Sequence, residues 1–257
     1  MKKLCLIVLL ASSPCFAQTL ENVMLPDGSR DTYVGFALVS RPTGDADTAA
    51  RATLLYPLLQ VQWSNGVFVS GLGTVGMHLS DTPGVEFGPV LHWQEGRSPG
   101  ASRNLRGSAE IENSPNVGGF FNYYLGRDFR LTSELLSTTD APGMLLSVGL
   151  QKNLPRFSPH HSVSVSVGAT AADSAYAMRH YGVAPNTMST GYATQGYTPT
   201  GGLLNVYAGM GWNWALSASW LVSTGLSATI YTPIAANSPV TSARSAVSMS
   251  SGLAYRF

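Results

Sequence analysis

The chain has 257 residues, 44% of them hydrophobic and only 11% charged, with a net charge of +1. Ordinary globular domains carry about 25% charged residues, and disordered chains are poor in aromatics, which make up 10% here. With 15 Lys+Arg balanced by 14 Asp+Glu and no basic stripe, the composition argues against a nucleic-acid partner. Twenty-seven glycines and abundant Ser and Thr favour strands and turns, so an all-β protein is expected.

Residues 1–17 read as a cleaved signal peptide. Met1-Lys2-Lys3 is the basic start, Leu4 to Leu10 the apolar core and Cys15-Phe16-Ala17 the cleavage site. A lipoprotein reading, with Cys15 acylated, is disfavoured by Pro14. The mature domain, 18–257, then begins at Gln18 and contains no cysteine, so it has no disulfide, thiol nucleophile or cysteine metal site.

Beyond the leader the recurring signal is period-two alternation. In residues 161–170, Val163, Val165, Val167 and Ala169 share one face, and Ser162, Ser164, Ser166 and Gly168 the other. At the end of the chain Val247, Met249, Leu253, Tyr255 and Phe257 oppose Ala246, Ser248, Ser250, Gly252, Ala254 and Arg256. Large apolar residues opposite small polar ones suit a lipid-facing barrel with a crowded lumen. Trp63, Trp93, Tyr123, Tyr124, Trp212, Trp214, Trp220, Tyr255 and Phe257 fall where an interfacial aromatic girdle is expected.

Candidate strands are 31–40, 51–63, 67–79, 85–94, 115–125, 129–138, 143–153, 162–172, 202–214, 219–231 and 245–257. Bacterial barrels have an even number, and the tight turns at Ser64-Asn65-Gly66 and Gly126-Arg127-Asp128 must both be periplasmic. An extra strand over 103–112, with Leu105, Gly107, Ala109 and Ile111 on one face, satisfies both conditions and gives an antiparallel transmembrane β-barrel of twelve strands, with ten the fallback. The same parity makes 41–50, 80–84, 113–114, 139–142, 173–201 and 232–244 extracellular, and the glycines of Gly71-Leu72-Gly73 and Gly76 relieve strand curvature.

From Asp173 to Val206 the sequence resembles the MipA/OmpV family of Gram-negative outer-membrane proteins. Tyr176, Tyr181-Gly182-Val183, Ser189 to Tyr192 and Gly201-Gly202 carry the resemblance. Phe87-Gly88-Pro89, Leu105-Arg106-Gly107 and the closing Leu253-Ala254-Tyr255-Arg256-Phe257 extend it. The resemblance implies a non-enzymatic barrel in the cell outer membrane, with outer-membrane lipid around it and no cofactor. It also implies a scaffold joining a lytic transglycosylase to a penicillin-binding protein in peptidoglycan synthesis. A porin-like channel or adhesin is the alternative, and a lipid-modifying barrel enzyme a more distant one. The terminal Phe257 resembles the signal read by the barrel-assembly machinery.

Two polar groupings have residue types that could carry chemistry. His78 and Glu86 flank residues 80–84 and, with Ser80, have the elements of a nucleophilic site, though a rim hydrogen bond explains them as well. Arg106, Glu110 and Glu112, with Arg130 and Glu134, read as an ion-pair network filling the lumen rather than a paired-carboxylate site. His160-His161 reads as a solvated periplasmic turn. No catalytic, cofactor-binding or metal-ligating residue is assigned.

Overall fold

A computed structural model describes residues 32–42, 51–71, 73–80, 82–99, 105, 110–155, 158–185 and 196–257. The leader and the loop 43–50 lie outside the described residues. Twelve antiparallel strands close into one barrel, each bonded to its sequence neighbours and the first to the last. They are β1 (Tyr33–Pro42), β2 (Arg51–Gln62), β3 (Val67–Gly71), β4 (Thr74–Met77), β5 (Val85–Gln94) and β6 (Ser114–Leu125), then β7 (Phe129–Thr138), β8 (Met144–Asn153), β9 (His161–Ala172), β10 (Gly202–Ala215), β11 (Trp220–Tyr231) and β12 (Ser245–Arg256). Two short helices, α1 (Ser174–Tyr181) and α2 (Pro233–Ala236), occur in the connections after β9 and β11.

The twelve strands expected are present, but the twelfth arises differently. Residues 67–79 are not one strand; they fold into the hairpin β3–β4, with Phe68 opposite Gly76 and Ser70 opposite Thr74. Gly71 (φ +55°) and Gly73 (φ +123°) take backbone angles that side chains disfavour, so these glycines make a turn rather than relieve curvature. Residues 103–112 are not the extra strand. Leu105 and Ile111 are buried, and Ile111 forms an isolated bridge with Arg97. Most of that segment, including Arg106, lies outside the described residues. One consequence is that the 78–84 connection sits at the same end as the Asn65 turn, where His78 N–H donates to Gly66 O at 2.9 Å, and not at the extracellular end.

The alternation read from the sequence is the alternation of the wall. On β1, Val34, Phe36 and Leu38 are exposed while Tyr33, Ala37 and Val39 are buried. On β12, Val247, Met249, Leu253 and Tyr255 point out, and Ala246, Ser248, Ser250 and Ala254 point in. Closure is needed because an open edge in hydrocarbon leaves backbone groups unpaired, at several kcal/mol each. Here β1 pairs with β12 from Tyr33↔Arg256 to Ser40↔Met249.

Inward glycines leave room for the few large lumenal rings. Gly149 and Gly168 stand opposite each other on β8 and β9, and Tyr207 of β10 lies over both. A Cβ on Gly168 would lie 2.3 Å from the Tyr207 Oη and 2.6 Å from the Val148 carbonyl oxygen. Gly168→Val is therefore expected to overpack this layer and lower stability by about 2 kcal/mol, toward the upper part of the usual overpacking cost. Urea unfolding of the refolded barrel measures it, with Ser248→Ala as the neutral reference.

Candidate functional site: a plugged lumen

The lumenal face is polar through β5 to β8. His92, Gln94, Asn116, Ser147 and Gln151 are all buried, because in a narrow barrel inward side chains cover one another. Arg130 donates from Nη2 to Gln151 Oε1 at 3.1 Å and lies 6.0 Å from the Tyr124 ring centroid. The Tyr124 hydroxyl donates to Glu86 Oε2 at 3.0 Å, and Asn122 Nδ2 to the same oxygen at 3.4 Å. A layer of Thr74, His92 and Glu134 follows: His92 Nδ1 is 3.3 Å from Thr74 Oγ1 and 4.0 Å from Glu134 Oε1.

At the extracellular end the loops turn inward. Asp173 caps α1 by accepting from the Tyr176 amide at 2.8 Å, and the helix presents Tyr176, Ala177, His180 and Tyr181 to the interior. These pack with Val90, Leu136, Leu145, Leu204, Tyr231 and Ala235 of α2. The Tyr176 and His180 rings stack at 4.1 Å. Gln94 Nε2 donates to the Tyr176 hydroxyl at 3.2 Å and lies 3.4 Å from His180 Nε2, while Asn116 Nδ2 donates to Gln94 Oε1 at 2.6 Å. Arg97 Nη1 donates to the His180 carbonyl at 2.6 Å. Above them Leu105, Val183 and Val240 form a second buried cluster with Tyr197. Three connections, 95–113, 173–201 and 232–244, thus meet over the mouth.

The outer side of α1 is held by Arg179 and Asp140, whose guanidinium and carboxylate make two hydrogen bonds, one of them Nη1 to Oδ1 at 2.7 Å. The Arg179 guanidinium holds the Asp140 carboxyl down to about 2. Burial first, then Arg97 and Arg179, push the His180 imidazole down to about 3, with Asp140 opposing weakly. Both groups are thus seated in the form they hold at neutral pH. Releasing α1 lets His180 take up a proton once the pH is below 6.5, so docking is full above that value and weakens on the way down to about 3. Asp140 adds to the loss only below 3.8. Hydrogen exchange over 174–181, corrected for intrinsic rates, is expected to lose protection between pH 6.5 and 4 by about 1 kcal/mol per unit. Arg179→Ala should cost about 1 kcal/mol at neutral pH, because this ion pair is part-exposed.

The sequence-derived groupings fare unevenly. His78 lies among rings, 4.7 Å from Phe68 and 5.4 Å from Phe120, while Glu86 is engaged by Tyr124 and Asn122. Arg130 and Glu134 do share the lumen, but Glu110 and Glu112 are exposed in the 95–113 connection and do not join them. His161 belongs to β9 and to the girdle, stacked on Trp212 and Trp214 and accepting from Trp212 Nε1 at 3.1 Å. In the His92 layer, Thr74 and Glu134 face the same ring nitrogen. A serine-protease-like relay needs nucleophile and orienting acid on opposite nitrogens. The sequence does not by itself bring together the plug residues Tyr176 and His180 and their partners Gln94, Arg97 and Asp140. Their signal was the Asp173 cap followed by buried-type residues at 176, 177, 180 and 181, the spacing of one helical face.

A closed antiparallel barrel with an apolar exterior, an aromatic girdle and a polar lumen is an outer-membrane β-barrel of the Gram-negative envelope. The family described as "MltA-interacting protein MipA" matches residues 34–257, and the chain belongs to it. No curated protein is significantly similar in sequence. Among solved structures the chain is similar to an outer membrane channel from Pseudomonas putida (TM-score 0.49, 9% identity, 91% of this chain and 100% of that one). It is also similar to the KdgM porin (0.47, 7%, 88% and 99%) and to the translocator domain of the autotransporter NalP from Neisseria meningitidis (0.46, 9%, 94% and 93%). These likenesses are loose, and the barrel assignment rests on the chain's own closed sheet.

Proposed function

We propose that this barrel works by contact rather than by conduction, as an outer-membrane scaffold that holds a lytic transglycosylase, and through it a penicillin-binding protein, at sites of peptidoglycan remodelling. The observation that carries the reading is the family match across residues 34–257, since that family is described by its interaction with a lytic transglycosylase. The plugged mouth supports it: with α1 and α2 packed into the lumen, a through-passage is not what the fold is arranged to offer. In this reading the barrel performs no reaction, and its lumenal polar groups serve packing and rigidity.

A passive channel is the competing reading, favoured by the polar lining of β5 to β8 beneath the plug. Planar-bilayer recording separates the two. Wild-type protein is expected to insert without steady current at neutral pH, and a stable ohmic conductance in most insertions would replace the scaffold with a channel.

A further inference from the structure

The plug is seated by a lock that suits one protonation state. Asn116 Nδ2 donates to Gln94 Oε1 at 2.6 Å, which turns Gln94 Nε2 toward the Tyr176 hydroxyl at 3.2 Å and His180 Nε2 at 3.4 Å. The ring nitrogen thus meets a donor and serves as an acceptor. A proton on it sets N–H against N–H. Turning both amides over would offer the imidazolium an oxygen but no opposing charge.

The other groups around the ring weigh against a cation. On α1 the Tyr176 ring stacks on the imidazole, and Arg179 adds positive charge beside it. From the 95–113 connection Arg97 adds more, and its guanidinium takes the His180 carbonyl. The stacked ring face and the carbonyl end of a helix both favour a cation, but Arg97 already occupies that end. Strands β5 and β6 bring the neutral amides of Gln94 and Asn116, while β7, β8, β10, β11 and α2 bring Leu136, Leu145, Leu204, Tyr231 and Ala235. Asp140 is the carboxylate that favours a proton on His180, and Arg179 holds it. Glu112 acts on Arg179. The side chain is 5% exposed, so water does little to relieve the charge.

The helix is also fastened so that it can leave. Its N-terminal end runs on from β9, where the Asp173 amide donates to the Met144 carbonyl at 3.1 Å. Its C-terminal end is tied from two other connections, by Arg97 on the His180 carbonyl at 2.6 Å and by the Ser238 hydroxyl on the Tyr181 carbonyl at 2.5 Å. Withdrawal about Asp173 uncovers Gln94 and Asn116, which then line the mouth.

We propose that α1 is an acid-released gate: proton uptake by His180 draws the helix out of the mouth about Asp173, and the closed barrel becomes a passage for small polar solutes. The inference rests on the barrel and its plug and not on the scaffold reading, so capture of a transglycosylase is independent of its outcome. The docked imidazole is held down to about 3 and a free one titrates at 6.5. Release is therefore favoured as the pH falls below 6.5, by about a hundredfold between pH 7.5 and 4.5.

The test records the full mature chain in planar bilayers at pH 7.5 and 4.5, and follows hydrogen exchange over 174–181 in nanodiscs across the same range. Heat-modifiable gel mobility confirms the fold at both values. Mean current per inserted barrel is expected to rise at least about tenfold on acidification, to fall back at pH 7.5 and to track the loss of protection in α1. His180→Gln keeps a hydrogen-bonding side chain without a titrating nitrogen. Its ratio of currents at the two pH values is expected to fall near one, whatever leak the substitution causes. A wild type that stays silent at pH 4.5 overturns the proposal, as does a tenfold response kept by His180→Gln. A current that rises while α1 stays protected also overturns it and puts the gate elsewhere in the lumen.

Discussion

Phe257→Asp, or deletion of Phe257, is expected to keep most of the chain out of the outer membrane. The residue follows β12 on the lipid face, 76% exposed, with its ring 5.0 Å from Tyr255, which is in turn 5.2 Å from Trp220. Its amide donates to the Thr32 carbonyl at 3.1 Å, at the seam where the last strand closes on the first. Asp removes an apolar contact worth about 2 kcal/mol. It also sets a carboxylate among the interfacial rings of Tyr255 and Trp220 at the closing seam. Heat-modifiable mobility and protease sensitivity measure the outcome against Ser248→Ala. A Phe257→Asp protein that accumulates as a protease-resistant barrel at the wild-type level would make this aromatic contact incidental.

Removing α1 is expected to turn a silent barrel into a conducting one. A variant in which 174–181 is replaced by a short Gly-Ser linker loses Tyr176, Ala177, His180 and Tyr181 from the lumenal cluster and frees Gln94 and Asn116 to face water. The wall does not depend on the helix, since β9 and β10 pair from His161 to Ala172 without it. Steady current in planar bilayers should rise at least about tenfold, because a twelve-stranded barrel without its plug is wide enough to leave a wet path. Arg179→Ala, a milder release, should give brief openings. An unplugged variant that is folded yet silent would place the block deeper, at the Thr74, His92 and Glu134 layer.

The wall was legible in the sequence because lipid on one side and a crowded lumen on the other enforce period two on nearly every strand. The β3–β4 hairpin was not. Val67, Val69, Val75 and Met77 keep one parity straight through the turn, since the register pairs odd residues with odd ones across it. The alternation therefore runs on unbroken, and only Gly71 and Gly73 mark the reversal. Residues 103–112 misled for the opposite reason. Leu105 and Ile111 are apolar and buried, but in the cap over the mouth, where burial imposes no strand. The plug was hidden by brevity: eight residues of α1 give barely two turns of pattern, and its partners come from β5, β7, β8, β10 and β11 and from three other connections. Arg130 and Glu134 reach the lumen because they sit on a strand of the wall, whereas Glu110 and Glu112 belong to a segment that contributes no strand to the closed barrel.

The claim that the barrel acts through a protein partner is tested most directly by capture between purified components. The folded barrel, immobilised in nanodiscs through an affinity tag near its N-terminus, is offered a soluble form of the envelope's membrane-bound lytic transglycosylase, with an unrelated twelve-stranded barrel as control. The scaffold account predicts saturable, specific retention with micromolar or tighter affinity, and recruitment of a bifunctional penicillin-binding protein to the same complex. Retention no greater than on the control barrel, with the protein shown folded by its heat-modifiable mobility, would contradict it.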